Sequence, residues 1–96
     1  FIFEPMTRLS GFVLGLGTNG VHAQYGCTTP DPEEAATKRV AIAQAARTVI
    51  LADTSKFGAT SFAKIIGINE ATIITNSLAA LDPSFTQFAN IKEATL

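Results

Sequence analysis

Three short stretches hold most of the side chains with which this chain could do chemistry. Gly15-Leu16-Gly17-Thr18-Asn19-Gly20 has the spacing G-x-G-x-x-G and follows the apolar run Phe12-Val13-Leu14. Asp53-Thr54-Ser55-Lys56 gathers a carboxylate, hydroxyls and an ammonium, and Thr75-Asn76-Ser77 adds hydroxyls and an amide. The glycine spacing invites a dinucleotide-binding reading, which requires the last glycine to open a helix whose N-terminus faces a pyrophosphate. Gly20 is followed instead by Val21-His22-Ala23-Gln24-Tyr25-Gly26, which has no helical periodicity, and then by Pro30. The next helix start carries Glu33 and Glu34, which repel phosphate. The nucleotide reading therefore fails, and the stretch matters through Gly17, Thr18, Asn19 and Gly20. One His and one Cys cannot supply a metal site, and nothing calls for a cofactor.

These groups need elements to position them. Gly11 to Leu16 reads as a buried strand, and Thr18 to Pro30 as a polar loop. Asp31-Pro32-Glu33-Glu34 is the best local signal in the chain: Asp31 caps, Pro32 suits the first helical position, and both glutamates complement the helix dipole. A helix is expected over 32–46, with Ala36, Val40 and Ala43 on its packed stripe. Thr48 to Ala52 is a β-branched run that reads as a strand buried on both faces. A short amphipathic segment around Ser61–Ile66, read as a short helix, precedes a strand over 71–75. Asp82-Pro83 repeats the cap signal ahead of a short helix over 84–89, and 91–96 forms a last strand or a frayed tail. The alternation argues for an α/β fold, a largely parallel sheet flanked by helices. Ligands of such sheets bind beyond the carboxyl ends of the strands. The polar loops at Gly17–Gly20, Asp53–Lys56 and Thr75–Ser77 should therefore face one crevice. Their backbone N–H groups, hydroxyls, amides and single ammonium suit a polyhydroxylated or phosphorylated small molecule.

Bulk properties narrow the function classes. The chain has 96 residues, 47% of them hydrophobic and only 16% charged, against about 25% charged in an average domain. So apolar a small body implies a covered face, through homo-oligomerisation or through a larger domain of which this is part. The net charge is −1 and Lys38-Arg39 is the only adjacent basic pair, so the basic stripe of a nucleic-acid surface is missing. No apolar run approaches the roughly 20 residues that span a bilayer, which argues against a membrane role. The lone Cys27 fits a reducing cytoplasm.

Several stretches in register carry a resemblance. Gly17-Thr18-Asn19-Gly20-Val21, Gly26-Cys27-Thr28-Thr29-Pro30-Asp31, Glu33-Glu34-Ala35-Ala36 with Lys38-Arg39, and Val49 through Gly58 look like the second half of the C-terminal sensor domain of DeoR-family regulators. Ser61-Phe62-Ala63 and Ile73-Ile74-Thr75-Asn76 continue the match, which spans about Gly15 to Ser77. Residues 1–12 do not follow the family pattern. The resemblance implies a bacterial, cytoplasmic transcriptional repressor. Its N-terminal winged helix-turn-helix binds operator DNA, and its α/β sensor domain, similar to ribose-5-phosphate isomerase, binds a phosphorylated sugar or related metabolite. It implies that residues 1–96 are a partial sensor domain, that the DNA-binding domain is absent from this chain, and that the missing half covers part of the sheet. In the isomerases a similar Ala-Asp-x-Ser-Lys segment places its lysine at the sugar phosphate. By that resemblance Lys56, with Asp53 and Ser55, contacts effector, and Gly17, Thr18, Asn19 and Gly20 lie against the sugar. Glu34 joins them as a further candidate.

Each candidate has a structural reading beside it. Lys56 can be a solvated loop lysine, Asp53 a turn former, and Glu34 a capping-box carboxylate or a helical-spacing partner of Lys38. His22 reads as a loop residue, Phe57, Phe62, Phe85 and Phe88 as core, and Cys27 as unreactive. The enzyme alternative, an aldose–ketose phosphate isomerase, needs a carboxylate base where this chain has Thr18-Asn19-Gly20. A non-enzymatic sensor is therefore expected. A third reading is a structural or regulatory fragment without a ligand.

Overall fold

The computed structural model describes residues 2–5 and 12–94. Two sheets and one long helix form the body. β1 (Ile2–Pro5), β2 (Phe12–Gly17), β5 (Arg47–Leu51), β7 (Thr72–Thr75) and β8 (Ile91–Glu93) form a five-stranded sheet in the order β1-β2-β5-β7-β8. The last four are parallel, and β1 runs antiparallel to β2. The α/β class and the largely parallel sheet are as the sequence implies.

Register explains the core. Leu16 pairs with Ile50, Ile50 with Ile73, and Ile73 with Ile91. This single row of aliphatic side chains crosses four strands and is buried throughout. At ~1.5–3 kcal/mol for each fully buried aliphatic side chain, the row and its neighbour Leu14 are the main apolar contribution of this sheet. The next residue along each strand faces the other way. Gly17, Leu51, Ile74 and Lys92 form that second row, and Leu51 is 46% exposed. Val13, Val49 and Ile74 are only partly buried. The expectation that β5 is buried on both faces is thus corrected: among the described residues the sheet is packed on one face and open on the other.

α1 (Pro32–Gln44) starts where expected, with the Asp31 carboxylate accepting the Glu33 amide at 2.9 Å. It packs against β2, β4 and β6. The stripe expected to pack does not: Ala36, Val40 and Ala43 are exposed, while Ala35 is buried and Ala41, Ile42 and Ala45 lie against the core. The helix is alanine-rich with apolar residues on every side, so its own pattern does not select a face; the Glu34–Lys38 pair and the sheet do. It ends at Gln44, two residues before the expected limit.

The segment expected as a loop from Thr18 to Pro30 contains two strands. β3 (Gly20–His22) and β4 (Gly26–Thr29) form a hairpin, and β6 (Ala63–Ile66), expected as a short helix, completes an antiparallel sheet in the order β3-β4-β6. The turn Ala23-Gln24-Tyr25 closes on Gly26, whose φ of +77° favours glycine. The His22 ring tightens the turn, its Nδ1 accepting the amides of Gln24 (3.0 Å) and Tyr25 (3.2 Å). Tyr25 stacks on that ring. α2 (Pro83–Thr86) is shorter than expected, and the Asp82 carboxylate accepts the Ser84 amide at 2.9 Å. Phe85 is buried, meeting Phe57 edge-to-face at 5.1 Å, and Phe88 is partly buried. Phe62, expected in the core, is 84% exposed. Gly11 and the end of the tail lie outside the described residues.

Candidate functional site

Parallel pairing of β2, β5, β7 and β8 brings their carboxyl ends to one edge, where the chain turns into Thr18-Asn19, Ala52-Asp53, Asn76-Ser77 and Ala94. The second and third of these turns are joined directly. The Thr54 amide donates to Asn76 Oδ1 at 3.0 Å. A short 3-10 turn, Thr54–Lys56, is capped by Asp53, whose Oδ1 accepts the Ser55 amide at 2.9 Å and also the Ser55 hydroxyl. The Ser55 hydroxyl and amide, with a smaller contribution from Lys56, hold the Asp53 carboxyl below the usual carboxylate range. Asp53 and Ser55 therefore satisfy one another, as a turn former would. The Lys56 side chain is partly buried, and its ammonium makes no ion pair or hydrogen bond to any described residue. It is a cation in the turn after β5 that remains available to a ligand.

The first loop is held by different means. Thr18 is buried, its hydroxyl lying 3.0 Å from both the Gly20 and the Thr28 carbonyl oxygens. One proton serves the two acceptors, and the hydroxyl is turned inward. The Asn19 amide donates to the Thr28 carbonyl at 3.1 Å, whereas its side chain is exposed and has no protein partner among the described residues. Gly20 sits against the Ala59 carbonyl so closely that a Cβ would collide with it. Gly17 is open around its Cα, and its carbonyl accepts the Lys38 ammonium at 3.0 Å.

Lys38 also pairs with Glu34 at 2.8 Å, one helical turn away. Glu34 therefore acts as the partner of Lys38, and the capping is done by Asp31. Of the sequence candidates, Gly17 and Glu34 meet through Lys38, and Asp53 and Ser55 meet one another. Gly20 meets the far end of the Asp53–Ala59 segment, where the Gly58 amide also donates to the Val21 carbonyl at 2.8 Å. Thr18 and Gly20 have complete structural explanations, so among the sequence candidates of this edge Asn19 and Lys56 keep side chains without a protein partner among the described residues.

A shallow hollow of about 310 Å³ lies over the ends of β5 and β7, between Leu51, Ala52, Asp53, Ile74, Thr75 and Asn76. Its walls are mostly aliphatic, less polar than the crevice the sequence implies. A second cleft, of about 430 Å³, lies between β3, the turn after Asp53 and α2, against His22, Thr54, Phe57, Asp82 and Phe85. Sequence reasoning passes over His22 because a lone histidine in a loop has no readable partner; the cleft wall it forms depends on a hairpin that is itself hidden in the sequence. Cys27 is buried, and burial pushes its thiol up to about 11, in keeping with an unreactive side chain. No group of three or more His, Cys, Asp or Glu is arranged to hold a metal among the described residues.

Residues 6–77 match the family described as the DeoR C terminal sensor domain, and the chain belongs to that family. The match ends where the sequence motifs end, at Ser77, and begins earlier than they do, so part of the segment read as departing from the family falls within it. The chain is 51% identical over 81 residues to the uncharacterized HTH-type transcriptional regulator FruR of Bacillus subtilis, covering 84% of this chain and 30% of that protein. It is 38% identical over 65 residues to the HTH-type transcriptional regulator GlpR of Haloferax volcanii, covering 68% of this chain and 26% of that protein. The aligned part is thus less than a third of either relative's length. No helix among the described residues is long and apolar enough to cross a membrane.

Proposed function

We propose that this chain is the effector-binding part of a transcriptional regulator. In this reading a phosphorylated sugar or related metabolite binds at the carboxyl edge of the parallel sheet and alters DNA binding by an attached winged helix-turn-helix domain. The observation that carries the reading is the Lys56 ammonium, left without a protein partner among the described residues at that edge. A compact, strongly hydrated ammonium suits a phosphate as a point charge. The exposed Asn19 side chain and the Gly17–Gly20 backbone supply contacts for sugar hydroxyls. Asp53 and Ser55 set the direction of the turn that presents Lys56, and Glu34 holds Lys38 against the opposite loop. Thr18 and Gly20 shape that loop.

The sheet's open face, with Val13, Val49, Leu51 and Ile74, supports a larger assembly. Parallel sheets are covered on both faces in stable α/β proteins. We assign the cover to further parts of the sensor domain or to a second copy in a homo-oligomer. The relatives' description as HTH-type transcriptional regulators supports an operator-binding domain elsewhere in the full protein and a cytoplasmic site of action.

An isomerase is disfavoured by the same geometry. Proton abstraction from carbon needs a free base within reach, and Thr18 and Asn19 supply none. Asp53 is engaged by Ser55 and Glu34 by Lys38. The test is operator binding by the intact regulator with and without a panel of sugar phosphates. A sensor shifts its operator affinity by about 5–150-fold with its effector. Unchanged affinity across the panel, or turnover of ribose 5-phosphate, overturns the reading.

A further inference from the structure

The cleft between β3, the turn after Asp53 and α2 is not used by the proposed effector site. None of Gly17, Thr18, Asn19, Gly20, Asp53, Ser55, Lys56 or Glu34 lines it. At about 430 Å³ it falls within the range of small-molecule sites, and both apolar and polar residues line it. Phe57 and Phe85, crossed edge-to-face, form the apolar wall with Leu81. His22, Thr54, Asp82 and Ser84 also line the cleft.

The polar groups are fixed in what they can offer. Because His22 Nδ1 accepts two backbone amides, the neutral ring carries its proton on Nε2, and no described residue takes that proton. The Thr54 amide is taken by Asn76, while its hydroxyl has no partner among the described residues. Asp82 is held by the Ser84 amide and hydroxyl, which keep its carboxyl below the usual carboxylate range. It is ionised at neutral pH and can accept further hydrogen bonds. Among the described residues no Lys or Arg lines the cleft. A phosphate there would face an uncompensated carboxylate. Two aromatic side chains beside one imidazole N–H, one hydroxyl and one carboxylate instead match the alternating C–H and O–H surface of a neutral sugar or polyol.

We propose that this cleft is a second small-molecule site, selective for an unphosphorylated, uncharged polyol. His22 Nε2–H and the Thr54 hydroxyl donate to it, Asp82 accepts from it, and Phe57 and Phe85 pack against its carbon face. Thr54 also belongs to the turn that presents Lys56, so occupancy of the cleft bears on the edge where the phosphorylated effector is proposed to sit.

The proposal is tested on the intact protein by amide chemical-shift mapping and ligand-observed NMR. The probes are D-glucose, D-fructose, D-ribose and glycerol, with glucose 6-phosphate and ethylamine as charged comparators. At least one neutral probe should bind saturably and move the resonances of His22, Thr54, Ser84 and Phe85. His22→Asn keeps an acceptor for the turn amides but deletes the distal N–H, and Thr54→Val deletes only the hydroxyl. Each should weaken that binding roughly ten-fold without altering the melting temperature. Shift changes confined to other surfaces overturn the proposal, as does preference for the phosphate or the amine, or no saturable neutral ligand. The mapping uses the unmodified protein, so its outcome does not depend on a variant folding. Failure of the Lys56 site appears separately, as loss of the sugar-phosphate response while polyol binding persists.

Discussion

The Lys38 ammonium lies 3.0 Å from the Gly17 carbonyl oxygen, twenty-one residues away in sequence, while it is paired at 2.8 Å with Glu34 on its own helix. One side chain thus ties the last residue of β2 to the first turns of α1. The Lys38 side chain is only 13% exposed and that of Glu34 is 45% exposed. The tie is therefore largely shielded on the lysine side and open on the other.

Lys38→Met keeps the aliphatic stem and removes the charge. It should cost about 1 kcal/mol of stability, since the bond to Gly17 is charge-assisted but the pair with Glu34 is partly solvated. Urea unfolding of the two proteins checks this. Glu34→Gln should cost less, because it leaves the bond to Gly17 in place.

The two outer glycines of the Gly17–Gly20 loop should respond unequally to an added methyl. Gly20→Ala drives a Cβ into the Ala59 carbonyl and should destabilise by about 1–3 kcal/mol. Gly17→Ala meets nothing within 4 Å and should stay within about 0.5 kcal/mol of the parent. Thermal melts of both variants suffice. A neutral Gly20→Ala would remove the packing explanation and return that glycine to the ligand.

The paired caps at Asp53 and Asp82 set an acid limit. Both carboxyls are held below their ordinary value of 3.8 in the folded protein, chiefly by Ser55 and Ser84 respectively. The folded state therefore binds these protons less readily than the unfolded chain does. Their contribution is complete above about pH 5 and is lost as pH falls through the folded values. Melting temperature followed from about pH 6 to about pH 2 should drop at the acid end, and Asp53→Asn should make that drop shallower. An unchanged acid profile in the variant would contradict the capping role.

Cys27 should ignore a thiol reagent until the protein unfolds. It is buried, with its thiol raised to about 11, and the thiolate is the reactive form. Disulfide-exchange labelling at about pH 8 should be absent in native protein and complete in denaturant. Labelling of native protein at a free-thiol rate would show that the β3–β4 sheet opens readily.

The sequence spoke most clearly where a local rule has one outcome. Asp31-Pro32 and Asp82-Pro83 mark helix starts because a capping carboxylate and a missing N–H act within one turn, and both helices begin there with those caps in place. The β-branched runs at 48–52 and 71–75 read as parallel strands for a similar reason. The hairpin from Gly20 to Thr29 escaped because its strands are three and four residues long, too short for alternation to register. Its strongest signal, Gly26 closing a three-residue turn, looks in sequence like any loop glycine. The packed face of α1 was not legible because alanines surround it, and the choice is made by partners distant in sequence. Phe62 followed the general rule that phenylalanine is buried, yet just ahead of β6 it faces solvent. At the site, residue types pointed to the carboxyl edge, but only the folded chain separates Thr18 and Gly20, which build it, from Asn19 and Lys56, whose side chains remain unengaged.

The central claim rests on Lys56, and a thermal-shift titration of the intact protein with sugar phosphates tests it most directly, with Lys56→Ala run in parallel. Bound effector should raise stability with concentration, by about 2.7 kcal/mol at a hundred times its dissociation constant. In Lys56→Ala the response should disappear or move to much higher concentration while the unliganded melting temperature stays the same. A saturable response of equal size in both proteins, or none from any sugar phosphate, would contradict the account.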